Sequence, residues 1–434
     1  MSMELLAILG IVLLIILLFS GMHIGIAMMI VGVVGYAVVM KFSGAIGMLK
    51  TVPFTQSSNY SLCVIPLFVL MGQLCFASGL SKDLYDACYK WFGRVPGGLS
   101  IATIVACAGF AAICGSSSAS SATMGTACYP EMKRYGYDSG MSTGCLAAGG
   151  TLGILIPPSV GFILYGVSAE ESIGALFAAG ILPGIVLTLC YIGVIVIEVK
   201  LDAKKGPKGE KFPMKEKIAA LVKIVPVLIL FIIVIGGIFI GFFTPNEGGA
   251  IGAVGALIFM LARKWGQWKE FGKAFFDAIK TTAMIMLIVT GAYVFGYFLT
   301  VTQLPATLAN AIAGMNVSKY VILILILLIY AALGCIMDSL SMIVLLVPIF
   351  LPIMKSLGFD TIWFGVLMVM VMEMGQITPP VGINAFIIAG IAKDVPLGKI
   401  FKGLVPFVLA LVVAVLLVMF IPQLALWIPT AIYG

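Results

Sequence analysis

Charged side chains are scarce in this sequence. Asp, Glu, Lys and Arg make up 10% of the 434 residues, whereas an ordinary soluble domain carries about a quarter. Histidine occurs once, at position 23, and none of the nine cysteines stands in a CxxC pair. No Ser–His, Cys–His or HExxH arrangement can be built from this set, nor can a His/Cys metal cluster. We therefore predict that the chain is not an enzyme and binds no transition metal.

Apolar side chains fill most of the remainder. They make up 62% of the chain, and the mean hydropathy is +1.19. Segment after segment exceeds the roughly 20 apolar residues that cross a bilayer. The net charge of +7 comes from Lys and Arg in loops, so it indicates topology and contact with anionic lipid rather than nucleic-acid binding. The sequence predicts an all-α polytopic membrane protein.

Ten apolar segments are predicted to span the membrane. They cover about 3–20, 22–40, 59–80, 140–167, 174–198, 218–242, 246–262, 275–301, 360–390 and 400–427. Two pairs of shorter segments, 98–130 and 319–354, are interpreted as re-entrant hairpins with GSSSAS and MDSLS at their tips. Segments 41–58 and 263–280 are amphipathic, and we expect them to lie along the membrane interface.

The chain is a duplication. When it is shifted by 222 positions, eight of the 29 residues from Pro130 to Pro158 recur. The recurring pairs are Pro130/Pro352, Met132/Met354, Lys133/Lys355, Gly136/Gly358, Asp138/Asp360, Gly153/Gly375, Pro157/Pro379 and Pro158/Pro380. We divide the chain into a first repeat at 1–198, a linker at 199–217 and a second repeat at 218–434. Matching helix breaks in the two halves of a membrane protein indicate a transport site.

The distribution of lysines indicates how the halves are oriented. Seven lysines place the 199–217 linker in the cytoplasm by the positive-inside rule. Alternation of the spans puts four other basic loops, 82–95, 131–138, 263–273 and 391–402, on the same side. Five full crossings separate the hairpins, and five is odd. The sequence therefore predicts an inverted repeat of five spans and one hairpin each, with the first hairpin entering from the cytoplasm and the second from outside.

The hairpin tips and the proline pairs are suited to a small cation. Broken helices persist in a bilayer only where protein or a watery cavity covers them, and their free carbonyls can coordinate ions. Each Pro-Pro pair removes two N–H donors and so frees carbonyls one turn earlier. An oxygen-only shell suits a hard ion such as Na⁺. Its candidates are Ser116, Ser117, Ser118, Asp338, Ser339 and Ser341 at the tips, and Gly153, Ile156, Gly375, Thr378 and Val381 at the breaks.

A structural alternative is that the Gly/Ser runs are close-packing surfaces between helices. Two carboxylates lie deepest in apolar sequence, and each costs about 2.5–3.5 kcal/mol at mid-bilayer, so each needs a partner or a proton. Asp338, at a tip, is the predicted cation ligand. Glu373 is open to three interpretations: a cation ligand, a proton carrier or a satisfied polar contact. His23, at the start of a span, is interpreted as an interfacial residue.

Helix N-termini that follow the breaks direct partial positive charge at the midplane, where they can hold a carboxylate. We expect an organic anion between the tips. A neutral polyol would suit the hydroxyls and amides there equally well. The expected substrate contacts are Ser117, Ser120, Thr123, Thr378 and Asn384.

At these residues the sequence resembles the large membrane subunit of TRAP (tripartite ATP-independent periplasmic) transporters. The resemblance covers nearly the whole chain and is most specific at GSSSAS, PEMKRYGYD, GGTLGILIPPS, MDSLS and GQITPPVGIN. It implies a Na⁺-coupled importer in the bacterial inner membrane, with a scaffold and an elevator-type transport domain. It implies one sodium site at Ser116, Ser117, Ser118, Gly153, Ile156 and Pro158, and a second at Gly334, Asp338, Gly375, Thr378 and Val381. The lack of an ATP-binding P-loop motif agrees with ion coupling.

The resemblance also implies two partners, a small four-helix membrane subunit and a soluble periplasmic binding protein that delivers the substrate. Because the chain starts at its own first span, we expect the small subunit to be a separate polypeptide. The substrate stays open among a C4-dicarboxylate, a sialic acid and another sugar acid. Two rival classes are a carrier that needs no binding protein and an ion channel. Uptake without a periplasmic partner would favour the carrier, and single-channel currents would favour the channel.

Overall fold

The computed structural model describes residues 2–313 and 317–434, and within them the chain forms helices and no β-strand. The first half contains α1 (Met3–Phe19), α2 (Ile24–Met40), α3 (Phe42–Ser57), a 3-10 turn (Tyr60–Cys63), α4 (Val64–Ala77), α5 (Leu80–Phe92), α6 (Gly98–Cys114), α7 (Ser117–Arg134), α8 (Ser139–Leu155), α9 (Val160–Ala169) and α10 (Ile173–Leu201). The second half contains α11 (Met214–Phe239), α12 (Pro245–Lys264), α13 (Trp268–Thr302), α14 (Leu304–Ala313), α15 (Lys319–Gly334), α16 (Ser339–Ser356), α17 (Thr361–Gln376), α18 (Ile383–Ile391), α19 (Leu397–Phe420) and α20 (Gln423–Tyr433).

The helices confirm the all-α polytopic prediction. Seven helices among the described residues are long and apolar enough to cross a bilayer, and the pair α8–α9, bent by 42° at its break, makes an eighth. Six of the seven coincide with predicted spans, and the seventh is α16, an arm of the second predicted hairpin. Ten spans were predicted. Two of the others, α1 and α2, have 17 residues each, and a third is interrupted between α17 and α18.

Three segments differ from the sequence-based expectation. Segment 263–280 is not a separate interfacial piece, because α13 runs without a break from Trp268 to Thr302. The basic loop predicted at 82–95 is mostly a helix, α5, which buries Leu80 and Leu84 on one face and carries its charges on the other. The last predicted span ends at Phe420, and the separate helix α20 follows it.

The two halves repeat the same order of elements. Adding 222 to the bounds of α6 to α10 gives 320–336, 339–356, 361–377, 382–391 and 395–423, close to the bounds of α15 to α19. The recurring residues have the same local backbone roles in both copies. Gly136 and Gly358 have φ of +74° and +71° after the end of a helix, a conformation that glycine adopts readily. Asp138 and Asp360 then cap the next helix through its backbone N–H groups.

Both proline pairs break their helices, as predicted. Helix α8 ends at Leu155 and α9 begins at Val160, while α17 ends at Gln376 and α18 begins at Ile383. The Pro157–Pro158 and Pro379–Pro380 peptide bonds are both cis. Because proline has no N–H group and its ring collides with the preceding turn, a pair of prolines cannot continue a helix. The inverted orientation of the halves and the proposed repeat boundaries stay predictions.

The linker between the halves is folded against the first hairpin. Its non-helical part is shorter than predicted, since α10 extends to Leu201 and α11 begins at Met214. Backbone hydrogen bonds fasten it to the corners before α6 and before α8: Gly97 N to Gly206 O (2.9 Å), Asp138 N to Lys205 O (3.0 Å) and Gly209 N to Gly93 O (2.8 Å). The Tyr137 hydroxyl also donates to Pro207 O over 2.8 Å.

Helices α8 and α19 cross at glycines. A methyl group built on Gly403 would overlap the carbonyl of Gly140, and backbone cannot rotate away as a side chain can. We expect Gly403→Ala to destabilise the protein by about 1–3 kcal/mol, the usual cost of overpacking. Gly398→Ala, on the same helix with open space around its methyl group, is the control. Thermal unfolding in detergent measures the difference, and equal melting curves for the two variants would contradict this packing.

Candidate functional site

A cavity of about 590 Å³ lies between the two hairpin tips and a wall built from α1, α2, α4 and α13. The first tip contributes residues 116–119, and the second contributes residues 337–341. The facing wall is mainly apolar. Its polar side chains are those of His23, Gln73 and Thr281. His23 is therefore not only at the interface, since it forms part of the same cavity as the tips.

The first tip is a tight turn between α6 and α7. Gly115 has a φ of +63°, and Ser116 caps α7 by accepting a hydrogen bond from Ala119 N over 3.4 Å. The turn touches the broken helix α8–α9, because Val160 N donates to Gly115 O over 3.4 Å. The backbone carbonyl at the end of α6 and the backbone N–H at the start of α9 thus satisfy each other, which the bilayer could not do.

The six residues predicted for the first sodium site lie around this turn. Gly153 approaches so closely that a methyl group on it would lie 2.6 Å from Ser116 O. A methyl group on Gly115 would lie 3.1 Å from Pro158 O. Ile156 lies in the break itself, and Ser116, Ser117 and Ser118 line the cavity. The structure brings these residues together; their role in binding Na⁺ stays a prediction.

The second tip is organised by Asp338. Its carboxylate caps α16, accepting from Leu340 N over 3.1 Å and from Ser341 N over 3.3 Å, and the Ser341 hydroxyl donates to it as well. The tip touches its own broken helix, because Gly382 N donates to Cys335 O over 3.0 Å. The donor Gly382 is the counterpart of Val160, 222 positions earlier, whereas the acceptor Cys335 lies two positions before Met337, the counterpart of Gly115.

The residues predicted for the second sodium site lie around this tip. Gly334 and Gly375 bring α15 and α17 into backbone contact, and a methyl group on Gly375 would lie 2.5 Å from the Gly334 carbonyl carbon. The Thr378 hydroxyl donates to Met374 O over 2.6 Å, which leaves its lone pairs free to accept or coordinate. Val381 is half-buried in the break between α17 and α18. The assignment of these residues to Na⁺ also stays a prediction.

Glu373 connects the two tips. It is 1% exposed, and its two carboxylate oxygens accept from hydroxyls of different halves, Ser117 Oγ over 2.5 Å and Ser339 Oγ over 2.7 Å. Asn384 Nδ2 donates to Ser117 Oγ over 2.7 Å. Of the three interpretations left open by the sequence, the structure supports at least a polar contact. The sequence signal was a carboxylate deep in apolar sequence, two residues before Gly375.

Gln376 is a site residue that the sequence analysis missed. Its Nε2 donates to Gly334 O over 3.2 Å and to Met337 O over 2.6 Å. It therefore satisfies one carbonyl at the end of α15, which would otherwise have no helical partner, and one carbonyl in the tip itself. The first half has Ile154 at the matching position, 222 residues earlier. The two tips are thus not chemically equal.

The five predicted substrate residues are placed differently from one another. Ser117 lines the cavity. The other four do not line it in the part of the chain that the structure describes. Ser120 is buried against Gly153, Thr123 is half-buried further along α7, and Asn384 is buried against Ser117. Substrate contact by these residues stays a prediction.

Most of the groups that could coordinate an ion at the tips are oxygens, and the sulfurs of Cys114 and Met337 also line the cavity there. Among the described residues, no group of three or more His, Cys, Asp or Glu side chains is placed to hold a metal ion. Hydroxyls, backbone carbonyls and the two carboxylates of Asp338 and Glu373 supply the oxygens at the tips. That set has the chemistry that a hard monovalent cation prefers.

Comparison with known families agrees with this arrangement. The family model described as "Tripartite ATP-independent periplasmic transporter, DctM component" matches residues 11–424. The chain belongs to the DctM family. It is accordingly a TRAP transporter large permease and a multi-pass protein of the inner membrane. The resemblance found in the sequence is confirmed.

Two relatives and one solved structure illustrate the match. The DctM chain is 36% identical over 377 residues to the C4-dicarboxylate TRAP transporter large permease protein DctM of Pseudomonas aeruginosa, covering 87% of this chain and 88% of the relative. It is 30% identical over 423 residues to the sialic acid TRAP transporter large permease protein SiaM of Vibrio cholerae, covering 96% and 97%. The structure of the Alcanivorax borkumensis YdaH transporter superimposes with a TM-score of 0.65 at 14% identity, covering 89% and 90%, and so supports the fold alone. The relatives are permeases, not enzymes.

Proposed function

We propose that this DctM-family chain is a Na⁺-coupled secondary importer of an organic acid, which it receives from a periplasmic binding protein and moves by an elevator mechanism. The observation that carries the proposal is the meeting of two hairpin tips, both rich in oxygen donors, at one cavity of about 590 Å³. Each tip contacts the start of a half-helix through one backbone hydrogen bond. A site of this kind, at the interface of two repeats, is typical of secondary transporters.

The tips favour cation coupling. The Asp338 carboxylate lies on the cavity wall with its own hairpin as partner, and no Lys or Arg lines the cavity within the described residues. A carboxylate in that position is costly unless a cation or a proton joins it. Hydroxyls and carbonyls from both tips complete an oxygen shell, and Na⁺ is the hard monovalent ion that such a shell fits.

The substrate class follows from the helix ends and the relatives. Helices α7 and α16 both begin at the cavity, so their N-terminal N–H groups direct partial positive charge towards it. A carboxylate is the natural ligand there once Na⁺ has neutralised the acidic tip. The relatives carry a C4-dicarboxylate and a sialic acid by name. We propose an organic acid of this kind.

The proposed partners are a small four-helix membrane subunit and a soluble binding protein, as the word tripartite in the family description suggests. The exposed His23, at the start of α2, lies on the wall opposite the tips, and the positive-inside rule puts that end of α2 in the cytoplasm. Under this predicted topology, the cavity corresponds to the inward-facing state of the proposed cycle. Import would begin from the opposite state, after the tips have moved against α1, α2, α4 and α13.

Uptake by proteoliposomes tests the proposal. The chain is reconstituted with the small subunit and the substrate-loaded binding protein, and an inward Na⁺ gradient is applied. We expect accumulation that stops when K⁺ replaces Na⁺. If the Na⁺ ions carry more positive charge than the substrate carries negative charge, uptake should depend on voltage. Each net positive charge moved inward gains about 2.3 kcal/mol per 100 mV of membrane potential. Uptake that ignores the Na⁺ gradient would refute ion coupling.

The same vesicles test the rival carrier. A chain that needs no binding protein would take up free substrate at the same rate when the binding protein is left out. Under the proposed function, that omission should abolish uptake. Steady currents that continue without substrate would instead point to a channel.

A further inference from the structure

Glu373 is the residue whose contacts the proposed function leaves unexplained. It lies on α17, yet its hydrogen-bond partners are on α7 and α16, the first helix after each hairpin tip. Ser117 and Glu373 are 256 positions apart in the sequence. A single carboxylate therefore joins the two halves at the point where both tips reach the cavity.

The geometry sets the direction of both hydroxyls. Both hydroxyls donate to Glu373, as they must when its carboxylate is ionised, because an ionised carboxylate only accepts hydrogen bonds. The lone pairs of each hydroxyl then point elsewhere. Ser117 Oγ uses one of them to accept from Asn384 Nδ2, which leaves one, and Ser339 keeps two. Oxygens held in this way, with their protons engaged by a negative group, are good cation ligands.

The bridge that Glu373 makes between the tips has no counterpart at the matching position of the first half. The position that matches Glu373 in the first half is Thr151, 222 residues earlier. The Thr151 hydroxyl lies 2.9 Å from the Tyr191 hydroxyl on α10 and donates to Ala148 O. It does not reach a tip. Glu373 is thus not a repeat of a packing device found in both halves, but one group shared by two tips.

We propose that Glu373 is a positioning residue that couples the two sodium sites by fixing Ser117 and Ser339 together. This inference rests on the proposed Na⁺ coupling. When Na⁺ binds at one tip, it orders that tip's serine and, through the common carboxylate, the serine of the other tip. The second ion then meets a site that is already ordered, which is positive cooperativity between the two tips.

The substitution Glu373→Gln tests the coupling at nearly constant shape. A Gln side chain offers one acceptor and one donor, so one serine must reverse its hydrogen bond and lose a lone pair. We expect the Na⁺ concentration for half-maximal uptake to rise about tenfold, in keeping with the loss of one hydrogen bond to a charged group. We expect the Hill coefficient for Na⁺ to fall from above 1 towards 1. The concentration of loaded binding protein needed for half-maximal uptake should not change at saturating Na⁺.

Two further variants make the result specific. Thr151→Val removes a buried hydroxyl from the matching position in the first half and should leave both Na⁺ parameters unchanged. Glu373→Asp keeps the charge on a side chain that is one methylene shorter and cannot span both serines, so it should lower the Hill coefficient as Gln does. It also provides the test if the Gln variant does not fold.

The outcomes separate this inference from the proposed function. Wild-type uptake without Na⁺ dependence would refute both the proposed function and the coupling role of Glu373. Na⁺-dependent wild-type uptake, with unchanged Na⁺ affinity and Hill coefficient in Glu373→Gln and Glu373→Asp, would overturn the coupling role alone. A variant that merely lowers the maximal rate would also overturn it, because a structural role predicts that result. A double-mutant cycle of Ser117→Ala and Ser339→Ala should be non-additive with Glu373 present and additive in Glu373→Gln.

Discussion

Asp338→Asn is expected to reduce Na⁺-driven uptake by about 100-fold, the effect of losing a charged partner worth a little under 3 kcal/mol. Asp338 is the acidic side chain on the cavity wall among the described residues. Asparagine caps helices about as well as aspartate does, so the start of α16 should survive the change. The loss should therefore appear in the Na⁺ dependence of uptake, measured in proteoliposomes, and not in thermal stability.

Asp360→Asn provides the matched control. Asp360 also caps a helix, accepting from Trp363 N over 2.8 Å, but it does not line the cavity. The two variants lose the same charge from the same kind of cap. If both reduce uptake equally, the effect belongs to helix capping and Asp338 has no special role. If Asp338→Asn retains the Na⁺ dependence of the wild type, the second predicted sodium site is wrong.

Gly375→Ala is expected to abolish uptake. The added methyl group would lie 2.5 Å from the Gly334 carbonyl carbon and 2.7 Å from Ala331 O. Both are backbone atoms, so α15 and α17 must separate. That movement also withdraws Glu373 and Gln376 from the tips that they contact. Each hydrogen bond to a charged group is worth about 1.5–3 kcal/mol, so the loss of the Glu373 contacts should lower uptake per folded molecule by at least about 100-fold.

Gly390→Ala is the control for this effect, because Gly390 lies on α18 with open space where a methyl group would be. Uptake is normalised to the amount of protein that elutes as a single species in detergent. Normal uptake by Gly375→Ala would show that the close approach of α15 and α17 is not needed for transport.

The duplication was readable from the sequence because the recurring residues have local backbone roles. A glycine at positive φ, an aspartate cap and a proline pair each dictate geometry within one turn of chain. Their spacing alone located both hairpins and both helix breaks. The helix bounds confirm both helix breaks and place a turn within each predicted hairpin, and α7 shifted by 222 positions coincides with α16.

The side-chain network at the tips was not readable in the same way. Glu373 meets Ser117 across 256 positions and Gln376 reaches back 42 positions to Gly334. Such pairs depend on how α7, α15, α16 and α17 pack, and no local rule contains that information. The sequence could say that a deep carboxylate needs a partner, but not that it has one from each half.

Helix continuity was also misjudged where the chain has no breaker. The stretch from Trp268 to Thr302 changes from amphipathic to apolar, and hydropathy alone suggested two elements. The one glycine before the apolar part is Gly272, which has open space around it. Since glycine weakens a helix by about 1 kcal/mol without ending it, α13 continues through.

The contacts of the linker bear on how the first half could be expressed by itself. Residues 205–209 supply backbone partners for Gly93, Gly97 and Asp138, and Phe212 packs edge-on against Tyr89 at a centroid distance of 5.4 Å. By composition the linker is a lysine-rich connector, but in the structure it packs against the corners that precede α6 and α8. A first half expressed by itself and cut at residue 198 would lack these contacts, whereas a cut after Phe212 would keep them.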